Sequence, residues 1–126
     1  MDFPLRELGP ALTARAGTWE RLGLAWTIGP VLPNRAPAVV QAEFESAELV
    51  GDLMIWVSGE AELSTVRLTD DRMVNKHYDL ATVDDLEVVL DELVVLLTDG
   101  IAPAAAVVDR FPSGDPRIPA PQIRPE

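Results

Sequence analysis

Histidine occurs once in this chain, as His77, and cysteine does not occur at all. Without cysteine there is no thiol nucleophile, no thiolate metal site and no disulfide framework. A single histidine leaves one side chain whose ordinary pKa lies near neutrality. Ser58, His77 and Asp79 can be written as a nucleophile triad, but Ser58 sits outside any G-x-S-x-G elbow that would expose and activate a serine. His77 is expected on the polar side of a strand, beside Asn75 and Asp79 and opposite Val74, Tyr78 and Leu80. A surface histidine is the expectation there.

Carboxylates come in pairs: Glu43 with Glu45, Glu60 with Glu62, Asp70 with Asp71, Asp84 with Asp85, and Asp91 with Glu92. Glycoside hydrolysis needs two facing carboxyl groups, one of them with a raised pKa. These pairs fall instead on wet strand faces, in a turn and along a helix, where solvation and capping explain them. Asp70-Asp71 lacks the alternating spacing of a calcium loop. Gly51, Gly59 and Gly100 are isolated, so no glycine-rich loop cradles phosphate. The expectation is a protein that is not an enzyme, with no catalytic residue, no cofactor and no metal.

The 126 residues carry a formal charge of −11. That surface repels phosphate backbones and anionic bilayers, so neither nucleic acid nor membrane is an expected partner. It attracts a basic protein and speeds the encounter. The N-terminal Met1-Asp2-Phe3-Pro4-Leu5-Arg6 has no basic cluster followed by an apolar run. The longest apolar segment, Leu86 to Leu97, is broken by Glu87, Asp91 and Glu92, well short of a membrane span. The expected location is the cytoplasm.

These side chains need elements to position them. Pro10 suits the start of a helix in which Leu12, Ala16, Trp19 and Leu22 recur near helical spacing and Gly23 ends the run. A short strand over 24–28 and a loop over 29–37 follow. From Ala38 the period changes to two, with Val40, Ala42 and Phe44 alternating with Gln41, Glu43 and Glu45. Leu53 to Val57 is apolar on both faces and reads as a central strand. Glu60 to Leu68 returns after Ser58-Gly59, with a bulge expected near Ser64 to bring Val66 and Leu68 into phase. Met73 to Leu80 is the next strand. Thr82 then caps a helix whose stripe is Leu86, Val89, Leu90, Leu93, Leu96 and Leu97, stopped by Asp99-Gly100. The fold predicted is α+β: an antiparallel meander of four or five strands, with an N-terminal and a C-terminal helix packed mainly on one face. Residues 1–100 form a single domain, and the prolines of 101–126 make a proline-rich C-terminal arm.

In that scheme Met54 and Trp56 share the strand face opposite Leu53, Ile55 and Val57. Either the N-terminal helix or the tail covers them, or they are apolar anchors for a partner, ringed by Asp52, Glu60 and Glu62. The candidate partner-binding set is Glu43, Glu45, Asp52, Met54, Trp56, Glu60 and Glu62.

The run Leu53-Met54-Ile55-Trp56-Val57-Ser58-Gly59-Glu60-Ala61-Glu62-Leu63 resembles the W-x-S-G-E-x-E-L hairpin of the TriTu-family immunity proteins. His77-Tyr78-Asp79-Leu80, followed by Asp85-Leu86 and Leu90-Asp91-Glu92-Leu93, resembles the strand and closing helix of the same family. The similarity spans roughly Ala36 to Leu97. It implies an inhibitor without catalysis of its own. Its partner would be a cognate bacterial toxin that ADP-ribosylates elongation factor Tu, bound so that its NAD-dependent active site is blocked. A basic toxin surface would match the acidic strand faces. The reading from another class is a small acidic secretion chaperone for an exported effector, which would need a dimer surface and a groove for an extended segment.

Overall fold

The computed structural model describes residues 2–30 and 38–110. A 3₁₀ turn at Leu5–Glu7 runs into helix α1 (Leu8–Thr13), and helix α2 (Ala16–Leu22) follows. The N-terminal helix expected as one piece from Pro10 is thus two. Pro10 lies in the first turn of α1, where a missing N–H costs nothing. At the break the Leu12 carbonyl accepts the Arg15 N–H at 3.1 Å and the Trp19 indole N–H at 2.9 Å. Both hydrogen bonds mark the turn between α1 and α2, and Trp19 is buried while Ala16 is not. Gly23, at φ +68°, ends α2 in the left-handed conformation that glycine adopts most easily.

Strands β1 (Ala25–Ile28), β2 (Val39–Glu45), β3 (Leu49–Trp56), β4 (Glu60–Arg67) and β5 (Arg72–Asp79) follow in an antiparallel meander. Helix α3 (Val83–Asp99) comes next, and then strand β6 (Val107–Arg110). The Asp85 carboxylate accepts the Ala81 and Thr82 N–H groups at the start of α3, and Gly100 at φ +71° closes it. The described sheet therefore has six strands rather than four or five. The sixth comes from the segment assigned to the arm. Val107-Val108 is a β-branched pair in the gap between Pro103 and Pro112, and an edge position tolerates prolines on either side. Residues 111–126 of the expected arm lie outside the described residues, as does most of the loop expected over 29–37.

The bulge expected near Ser64 is absent. Pairing runs unbroken from Leu49↔Arg67 to Ile55↔Ala61 and from Glu60↔Asp79 to Arg67↔Arg72. Thr65 takes the inward slot at 2% exposure, Val66 turns outward, and Leu68 is exposed past the strand end. Threonine fits a pleated core position by shape despite its hydroxyl, which hydrophobicity alone does not reveal. On the same face the Phe44 ring lies over Gly51, where any Cβ would collide with it.

The described helices pack on this inner face. Leu8, Leu12 and Trp19 from the N-terminal helices join Leu86, Val89, Leu90, Leu93 and Leu96 from α3. They meet Val40, Ala42, Phe44, Leu53, Ile55, Ala61, Leu63, Val74 and Tyr78 of the sheet in one cluster. Arg15, at the α1–α2 junction, clamps the layer by reaching Glu87 Oε1 at 2.7 Å and Asp91 Oδ1 at 2.8 Å on α3.

Candidate functional site

With the helices on one side, strict alternation sends every other strand residue to the opposite, outer face. Register lines these residues up in rows. Val39 faces Trp56, Gln41 faces Met54, Glu43 faces Asp52 and Glu45 faces Val50. The rows continue from Met54 to Glu62 and His77, and from Asp52 to Ser64 and Asn75. Glu60 faces Asp79 across the next pair of strands, and Asp109 of β6 extends the row through Met73.

All seven residues singled out in the sequence thus lie on one face. Glu43, Glu45 and Glu60 are exposed, and Asp52, Met54, Trp56 and Glu62 are half-buried. The N-terminal helices, one of the covers considered for Met54 and Trp56, pack on the other side. Glu43 and Met54, with Thr27, Val39 and Gln41, line a shallow concavity of about 350 Å³ toward β1.

The electrostatics of this face are lopsided. Its outward strand positions hold Glu43, Glu45, Asp52, Glu60, Glu62, Asp79 and Asp109, and among the described residues no lysine or arginine shares them. Glu43 is directly opposite Asp52, and Glu60 directly opposite Asp79. Like charges in facing positions destabilise a sheet. Gln41 Nε2 donates to Asp52 at 2.9 Å, which orients that carboxylate without neutralising it.

His77 is the exception. Its Nδ1 is 2.6 Å from Glu62 Oε2, and its Nε2 is 3.2 Å from Asp79 Oδ1. Glu62 first, and Asp79 second, hold the imidazolium above the usual histidine range. Both ring nitrogens are engaged by carboxylates, so the Ser58-His77-Asp79 arrangement does not assemble as a triad. The sequence placed His77 beside Asp79 but gave no sign of Glu62, which the β4–β5 register brings opposite.

Two further polar side chains, Lys76 and Tyr78, belong to the scaffold. Lys76 occupies an inward slot between Val74 and Tyr78. Its Nζ is 2.9 Å from Glu92 Oε1 on α3 and 4.7 Å from the Tyr78 ring centroid. Tyr78 Oη donates to the same Glu92 oxygen at 2.7 Å. Burial, then the Glu92 carboxylate, pushes the phenol up. Lys76 was detectable as a charge between the apolar Val74 and Tyr78. Its partner, a full helix away in sequence, was not.

Among the described residues no group of three or more His, Cys, Asp or Glu side chains is arranged to hold a metal ion. No described helix is long and apolar enough to cross a membrane. The arrangement can offer charge beside half-buried apolar side chains such as Met54 and Trp56, which suits a macromolecular partner.

Comparison with known proteins agrees with the hairpin resemblance. A family model described as "Immunity protein TriTu" matches residues 23–96, more than half of the chain. The matched span takes in β1 through β5 and most of α3, and so nearly all of the acidic face. No curated protein and no solved structure matches the chain.

Proposed function

The chain belongs to the TriTu family of immunity proteins, and from that premise we propose that it binds the catalytic domain of a cognate toxin through the outer face of its sheet. The toxin proposed is an ADP-ribosyltransferase acting on elongation factor Tu, held so that NAD no longer reaches its active site. Inhibition takes place in the cytoplasm, where that target works. The observation that carries the reading is the clustering of seven carboxylates with no described lysine or arginine among them, next to the half-buried pair Met54 and Trp56. An acidic field steers a basic cleft toward the face. Trp56 and Met54 then supply the desolvated centre, Glu43, Glu45, Asp52, Glu60 and Glu62 the charged rim. Family membership favours this reading over a secretion chaperone.

The roles of rim and anchor separate kinetically. Replacing Glu60 and Glu62 by lysine should slow association, more at low salt than at high salt. Trp56→Ala should leave folding intact and speed dissociation. Surface plasmon resonance against the toxin domain measures both rates. Unchanged rates in both variants would place the interface elsewhere.

A further inference from the structure

The outer face contains its own cation. His77 sits in the row Gln41–Met54–Glu62–His77, bridging Glu62 on β4 and Asp79 on β5. Its remaining surroundings are Asn75 on its own strand and Glu60, which faces Asp79; β6 ends at Val107, opposite Asn75. Lys76 turns to the inner face and is taken by Glu92. No other positive group of the described sheet reaches these two carboxylates.

We propose that His77 is a built-in competitor for the toxin's cations, so that the protonated imidazole holds Glu62 and Asp79 back from a basic partner and the neutral imidazole releases them. This regulation rests on the toxin-binding reading above. A lysine or arginine arriving at Glu62 or Asp79 meets like charge from a protonated His77. The two charges cannot both be well placed within a few ångströms, so binding of the partner favours loss of the imidazole proton. The sign follows from linkage. The free protein binds the proton more tightly than the complex does, so affinity rises with pH through the titration of free His77 and levels off above it. One group sets the limit at about tenfold in Kd per pH unit.

Isothermal titration calorimetry tests this with the full chain and the catalytic domain of its cognate toxin. Titrations run from pH 5.5 to 8, in buffers of different ionisation enthalpy. The expected result is a Kd that falls with rising pH, a fractional proton released on binding near neutrality, and loss of both effects in His77→Gln. Replacing the imidazole by a permanent cation, His77→Lys, should give weak binding at every pH. A complex whose Kd and proton count do not change with pH, or whose slope persists in His77→Gln, overturns the competitor role and leaves toxin binding standing. Absence of a complex at every pH overturns both.

Discussion

If the outer face is shaped by a partner, it should be poorly made for stability, and Glu43→Lys tests that. Glu43 and Asp52 oppose each other on β2 and β3 with no described lysine or arginine on their face. A facing like-charge pair costs roughly 0.2–1 kcal/mol, and an opposite-charge pair gains a similar amount. Reversal of one partner should therefore stabilise the fold by about 0.4–2 kcal/mol. At about 2.1 cal/mol/K per residue, unfolding 126 residues carries an entropy near 0.26 kcal/mol/K, so Tm should rise by about 1.5–8 °C. Differential scanning calorimetry at low salt, repeated at about 0.5 M salt where the Debye length shrinks below the spacing of the rows, should show the gain and then its decline. The same variant should bind the toxin more weakly. A fall in Tm, or a gain that salt does not reduce, would refute the claim that these facing carboxylates are electrostatically strained.

Leu90 is fully buried where α3 meets the sheet, so Leu90→Ala should cost on the order of 2–5 kcal/mol in urea unfolding; an unchanged midpoint would mean the α3 register is wrong. Asp70 accepts two hydrogen bonds from Arg67, at 2.9 and 2.7 Å, which hold its carboxyl down to about 2. Its folded value lies below its unfolded one, so the stabilisation it brings is present above about pH 4 and is lost as pH falls through about 2. NMR titration of the side-chain carboxyl should show that low midpoint, and Arg67→Ala should return it toward the ordinary range.

Much of this architecture is legible in the sequence because period two and period 3.6 are visible without a partner. The inward set Val40, Ala42, Phe44, Leu53 and Ile55 and the stripe of α3 follow from alternation alone. So does the sharing of one face by Met54, Trp56, Glu60 and Glu62, since parity places each residue once its strand is known. What failed was local chemistry that periodicity does not encode. Thr65 filled a core slot that hydrophobicity reserved for Val66, and Val107–Arg110 was hidden among prolines that are harmless at an edge. The break at Arg15, where the Trp19 indole reaches the Leu12 carbonyl, is a side-chain-to-backbone contact that periodicity does not encode. Register contacts between strands, Glu62 with His77 and Glu43 with Asp52, require knowing where each hairpin turns. Gly59 fixes one of those turns. It sits at φ +98°, where a Cβ would strike the Leu80 carbonyl oxygen, so the glycine of the W-x-S-G-E run is there for the backbone.

The central claim, that this chain neutralises a toxin by binding it, meets its most direct test in cells that express the cognate toxin under inducible control, with and without this protein. Survival is expected only when the protein is present, together with a complex that co-elutes on a sizing column. Survival should fall when Trp56→Ala is combined with lysine at Glu60 and Glu62. Equal killing with and without the protein, and separate elution of the two chains, would contradict the account.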